Sequence, residues 1–142
     1  MPVRNASAEW TGSFREGRGT MRLGSGAFEG AYSFGSRFEE APGTNPEELV
    51  AAAHAGCFSM ALSAGLSQAG HAPERIETTA RAHLEKVDGG FRITVIDLDT
   101  RARVPGIDEA TFRKYAEDAK ENCPVSRLYQ GAEIRLEATL ER

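Results

Sequence analysis

The stretch from Gly43 to Gly70, GTNPEELVAAAHAGCFSMALSAGLSQAG, constrains this chain more than any other. It predicts one long helix with punctuation at both ends. Thr44 or Asn45 can accept from the free N–H groups of a first turn. Pro46 suits the first helical position, where a missing N–H costs nothing. Asn45 and Glu48 have the spacing of a capping box, with Asn in the place usually held by Ser or Thr. Gly70 stands where a left-handed closing residue is wanted. Between the ends, Leu49, Val50, Ala51, Ala52, Ala53, Cys57, Phe58, Met60, Leu62 and Leu66 leave almost no polar stripe. A helix that is apolar all round has to be covered on every side, so the rest of the chain is expected to wrap it. The few strands available can cover only part of it. The economical solution is a dimer in which two such helices pack together inside shared sheets.

Around this helix the remaining sequence reads as strands and one further long helix. Val3–Trp10, Thr20–Leu23 and Ala27–Phe34 are separated by glycine-rich turns, and residues 35–43 form a loop into the central helix. Beyond Gly70, Ile76–Val87 alternates, Asp88-Gly89-Gly90 is a hairpin signal, and Phe91–Val104 is expected to return antiparallel. Asp108 caps an amphipathic helix over Glu109–Asn122, Ser126–Gln130 adds a short helical turn, and Ala132–Glu141 alternates as a last strand. The order β-β-β-α-β-β-α-β indicates an α+β fold with antiparallel sheet.

At 142 residues the chain is long enough to bury a core without staples, and it reads as a single domain over 1–142. A formal charge of −4 gives no basic footprint for nucleic acid. The first residues, MPVRNASAEW, lack the apolar core of a signal peptide, which points to the cytoplasm. His54, Gln68 and the Ser and Gly residues of the central run argue against a membrane span. In a reducing compartment the two cysteines, Cys57 and Cys123, are not a structural disulfide framework, and they match no zinc spacing. They are either two core thiols or a redox pair.

A cysteine on an apolar helix is usually a small hydrophobe. Cys123 ends a helix before Pro124, a position more often accessible than buried. His54 lies three residues before Cys57 and shares its helix face. That spacing permits a Cys–His nucleophile pair or two metal ligands, although a polar contact at an interface is the plainer reading. A reactive thiol needs a positive neighbour, because the thiolate is the nucleophile. Cys57 is too far along its helix to gain from the N-terminal dipole, so an arginine from another segment would have to supply that charge. Arg37 and Arg18 are the candidates.

The run Thr44-Asn45-Pro46-Glu47-Glu48-Leu49, followed by Ala51-Ala52-Ala53-His54-Ala55-Gly56-Cys57-Phe58-Ser59-Met60-Ala61-Leu62, strongly resembles the OsmC/Ohr family of cysteine-dependent peroxidases. The similarity continues through Lys86–Phe91, Val104–Asp108 and Cys123-Pro124-Val125-Ser126, and so spans essentially the whole chain. His54, and Arg37 within Ser36-Arg37-Phe38-Glu39, look like the osmotically inducible OsmC branch. The resemblance implies antiparallel sheets wrapped around central helices in an obligate, intertwined homodimer. It implies that Cys57 is the peroxidatic cysteine and Cys123 the resolving one, that Arg37 activates the thiolate, and that Glu47 positions that arginine. Organic hydroperoxides would be the substrate, ahead of hydrogen peroxide, and a dithiol, such as a lipoyl-containing protein, the reductant. No cofactor or metal is implied.

Glu47 and Cys57 are ten residues apart, about 15 Å along a straight helix at ~1.5 Å per residue. They cannot share a site within one straight helix: Arg37 could bridge part of that span, or an antiparallel partner helix could bring Glu47 of a second copy beside Cys57. Phe34, Phe38, Phe58, Met60, Val125 and Leu128 are expected to flank the site. Two other classes compete with the peroxidase: a carrier dimer for an apolar ligand, and a hydrolase built on Cys57 and His54.

Overall fold

A computed structural model describes residues 1–142. It divides into two compact units, Met1–Leu49 and Val50–Arg142.

In the first unit, β1 (Ala6–Thr11), β2 (Arg18–Leu23) and β3 (Glu29–Tyr32) form an antiparallel sheet in the order β1-β2-β3. All six residues of β1 are exposed. The stretch expected to be a plain loop contains a short helix, α1 (Phe34–Phe38). Ser33 and Ser36 cap it reciprocally: the Ser36 N–H donates to Ser33 Oγ and the Ser33 N–H to Ser36 Oγ. Serine at the third helical position replaces the Glu or Gln that normally reveals such a box, which is why the sequence conceals this helix. α2 (Pro46–Gln68) opens in this unit, where the Glu48 N–H donates to Asn45 Oδ1 at 2.7 Å, the expected cap.

The second unit holds most of α2, then β4 (Arg75–Val87), β5 (Gly90–Arg103), α3 (Glu109–Asn122), α4 (Pro124–Leu128) and β6 (Glu133–Leu140). α2 ends as its sequence indicates. Gly70 has φ +87, its N–H donates to the Ser67 carbonyl, and the His71 N–H donates to the Leu66 carbonyl. That pair of bonds is a Schellman closure, which needs a left-handed residue at its glycine. Asp88 and Gly89, both at positive φ, turn β4 back into β5 as an antiparallel hairpin. β6 departs from the expected antiparallel arrangement. It pairs parallel with β5, because α3 and α4 carry the chain back over the sheet before β6 begins. The strands therefore form two separate three-stranded sheets, and the second is mixed.

The core lies in the second unit. Ile96, Leu98 and Ala102 of β5, Ala138 and Leu140 of β6, and Phe112, Ala116 and Ala119 of α3 meet one face of α2. That face is His54, Phe58, Leu62 and Leu66, each at most 1% exposed. The opposite face, with Ala52, Ala53, Gly56, Met60 and Ala64, is open. Within the second unit, then, only one face of α2 is packed. α2 is long and apolar enough to cross a membrane, as core helices of globular proteins also can be.

Candidate active site

The residues marked by the sequence gather as two pairs, one in each unit. In the first unit α1 is fastened to the segment that opens α2 through the side chain and carbonyl of Ser36. Ser36 Oγ donates to the Thr44 carbonyl at 2.7 Å, and Asn45 Nδ2 donates to the Ser36 carbonyl at 3.0 Å. This places Arg37, next along α1, opposite Glu47 in the first turn of α2. Arg37 Nε donates to Glu47 Oε1 at 3.1 Å and Arg37 Nη2 to Glu47 Oε2 at 2.8 Å. The geometry is the two-pronged fit of guanidinium and carboxylate. The Arg37 side chain is 34% exposed and that of Glu47 11%, so the carboxylate is the buried anchor and the guanidinium keeps a free edge.

That edge borders an open cleft of about 440 Å³, lined by Trp10, Phe14, Tyr32, Phe34, Arg37 and Phe38 among others. The rings of Phe14, Phe34 and Phe38 pack together with centroids 4.9–6.0 Å apart. The Arg37 guanidinium carbon sits 5.3 Å from the Phe38 ring centroid. An arginine at the lip of an apolar cleft suits a ligand with a polar end and a hydrocarbon body. Phe34 and Phe38, expected beside the thiols, belong to this cleft. The others on that expected lining divide differently: Phe58 is core, Val125 is half-buried, and Met60 and Leu128 are each 77% exposed.

In the second unit α4 brings the cysteines together. Cys123 is both the last cap of α3 and the first cap of α4, and the Ser126 N–H donates to its Sγ at 3.3 Å. Pro124 fixes the first helical position after it. Cys123 is 1% exposed, contrary to the accessible position expected at a helix end, because two helices close over it. Cys57, half-buried on α2, lies within hydrogen-bonding reach of the Cys123 thiol, and both are free. Burial pushes the Cys57 thiol above its ordinary pKa. The Val125 backbone N–H pulls the other way, and the neighbouring Cys123 adds to the rise.

His54 is fully buried rather than exposed at an interface. Its Nε2 lies 2.7 Å from Ser126 Oγ, and its Nδ1 has no hydrogen-bond partner. Neither ring nitrogen is bonded to Cys57, so the Cys–His dyad of a hydrolase is not formed. Burial lowers the His54 pKa, which keeps the imidazole neutral. The Tyr129 ring stands edge-on to it with centroids 5.4 Å apart. Ser126 was not among the expected site residues. Its signal was the spacing Cys-Pro-Val-Ser, which puts a hydroxyl three residues after a capping sulfur. No cluster of three or more His, Cys, Asp or Glu side chains is gathered for a metal ion.

The OsmC-like protein family profile matches residues 38–138. The chain is 48% identical to the peroxiredoxin OsmC of Escherichia coli K12 over 139 residues, covering 97% of this chain and 96% of that one. It is 34% identical over 90 residues to an organic hydroperoxide resistance protein of Xanthomonas axonopodis pv. citri, covering 63% of this chain and 61% of that one. Among solved structures, an organic hydroperoxide resistance protein OsmC from Legionella pneumophila superposes with a TM-score of 0.74. It is 21% identical, and the match covers 98% of this chain and 99% of that one. At that identity the likeness establishes the fold.

Proposed function

The chain belongs to the OsmC family, and from that membership we propose that it is a thiol-dependent peroxidase that reduces organic hydroperoxides through Cys57 and Cys123. The observation that carries this reading is the meeting of two free thiols from distant segments, at the hinge between α3 and α4, in a chain so close to a peroxiredoxin. The Cys57 thiolate attacks the outer peroxide oxygen. The O–O bond breaks with its electron pair on the alkoxide, which takes a proton, and Cys57 becomes a sulfenic acid. Cys123 then displaces hydroxide from that sulfur to close the Cys57–Cys123 disulfide. An external dithiol, such as a lipoyl-containing protein, reopens it by exchange.

Burial holds Cys57 toward its thiol form, so the first step needs an added positive charge. Arg37 supplies it and binds the peroxide oxygens with its fork, while Glu47 fixes the rotamer. Because these two side chains are joined within one chain, the copy that contributes Arg37 also contributes Glu47. The protein works as a homodimer with the open face of α2 and the exposed β1 at its interface, and the pair acts on the partner's Cys57. The whole chain serves as one peroxidase domain in the reducing cytoplasm, away from membrane and nucleic acid.

Intact mass and free thiols after one equivalent of cumene hydroperoxide, followed by dihydrolipoamide, test the reading. Loss of two hydrogens and both thiols, reversed by the dithiol and absent in Cys57→Ser, is expected; an unchanged mass would refute it. Mixing Cys57→Ser with Glu47→Ala subunits restores activity in heterodimers if the site is shared. No recovery would place the pair and its cysteine in one chain.

A further inference from the structure

Three of the four residues on the buried face of α2 are large and apolar, and the fourth is His54. An apolar side chain there would fill the space without leaving Nδ1 buried and unpartnered, an arrangement that costs free energy. What His54 gains is a line of contacts to sulfur. Its Nε2 is 2.7 Å from Ser126 Oγ, which is in turn 3.2 Å from Cys123 Sγ. His54, Ser126 and Cys123 are 0%, 3% and 1% exposed, so bulk water does not serve this thiol directly.

We propose that His54 and Ser126 form a proton relay to Cys123, removing its proton as the disulfide closes and returning it when the disulfide is reduced. The proposal rests on the peroxidase reading, in which Cys123 is the resolving thiol. A serine hydroxyl both donates and accepts, so Ser126 takes the Cys123 proton while passing its own to His54 Nε2. The Cys123 electron pair forms the S–S bond. The Cys57 S–O bond breaks, and its pair leaves with the oxygen as hydroxide. The imidazolium, disfavoured by burial, gives its extra proton back through the hydroxyl to that hydroxide, which departs as water. The sum is Cys57–SOH plus Cys123–SH giving the disulfide and water, with His54 neutral again. On reduction a donor thiol attacks Cys57, and Cys123 leaves as a thiolate. The same line protonates it, with the proton released by the donor thiol. Ser126 touches a reacting atom; His54 acts through it as a positioning and proton-holding residue.

The test separates the two half-reactions by rapid quench, with sulfenic acid trapped by dimedone and disulfide read by mass. In Ser126→Ala, sulfenic acid forms at the wild-type rate but closure slows about 10²-fold, the low end for a lost general base, so the trapped adduct accumulates. His54→Gln, which can still bond the hydroxyl but cannot take a proton, slows closure likewise, while Ser126→Thr restores it. Wild-type closure rates in both Ser126→Ala and His54→Gln would overturn the relay. The same comparison with diamide, which joins two thiols without any peroxide bond, reads closure independently of hydroperoxide chemistry. Slow closure with diamide in a protein inert to hydroperoxide would uphold the relay and overturn the peroxidase. Equal closure with diamide across all variants would overturn the relay alone.

Discussion

Replacing Glu47 with glutamine tests whether its carboxylate acts through Arg37. The substitution keeps the shape of the side chain but removes its charge. It leaves one oxygen for two N–H donors and turns an amide group toward the second. Hydrogen bonds to charged groups contribute about 1.5–3 kcal/mol each when well buried, and exposed ion pairs about 0–1 kcal/mol. Arg37 is 34% exposed and Glu47 11%, so this pair falls between, and the substitution costs about 1–2 kcal/mol. If that free energy holds the guanidinium against the developing alkoxide, sulfenic acid formation slows about 5- to 30-fold, at ~1.4 kcal/mol per factor of ten. Arg37→Met, which removes the donor itself, costs about 10²- to 10³-fold. The double variant Arg37→Met/Glu47→Gln should be no slower than Arg37→Met, since two residues acting as one do not add. The assay is single-turnover loss of the Cys57 thiol, made in a Cys123→Ser background so that no disulfide intervenes. Multiplying costs in the double variant would show that Glu47 does separate work, and a wild-type rate in Glu47→Gln would end the positioning role.

Two further predictions concern α2. Leu62→Ala, at a residue 1% exposed, should lower unfolding free energy in urea by about 2–5 kcal/mol at every protein concentration. Met60→Ala, on the open face, should cost only an amount that changes with concentration, as a residue at an interface between copies would; a concentration-independent loss equal to that of Leu62→Ala would refute the face assignment. The second prediction follows from His54, whose pKa is lowered by burial. Below about pH 6.5 the unfolded imidazole takes up a proton that the folded one refuses. Stability is therefore full above that pH and falls as pH drops toward the lowered folded value. His54→Gln should flatten urea midpoints across this window, before the carboxylates titrate, and an unchanged acid slope would refute it.

Much of the fold was legible because its signals are local. Asn45, Pro46 and Gly70 mark the ends of α2 through bonds made within a few residues. Asp88-Gly89 marks the β4–β5 turn by its backbone freedom, and Asp108 marks α3 by accepting from the Thr111 N–H. The candidate site residues were picked out by resemblance: Arg37, Glu47, Cys57 and Cys123 stand in recognisable runs. The structure joins them as Arg37 with Glu47 and Cys57 with Cys123.

Hydropathy concealed which face of α2 is buried, since alanine, glycine and leucine alike count as apolar. Packing decided it, with Phe58, Leu62 and Leu66 filling space against β5, β6 and α3 while the small Ala52, Ala53, Gly56 and Ala64, together with Met60, face outward. The parallel pairing of β6 was equally hidden, because alternation fixes which side of a strand is buried but not its neighbour or direction. His54 carried a visible hint as a polar residue in an apolar run, yet its partner lies in α4, seventy-two positions away. The sequence alone determined the long elements and most of their caps and turns, though not α1, because those depend on bonds between near neighbours. Only the tertiary structure decided the buried face of α2, the direction of β6 and the line from His54 through Ser126 to Cys123. These rest on contacts between distant segments, whose geometry exists only after the chain has packed.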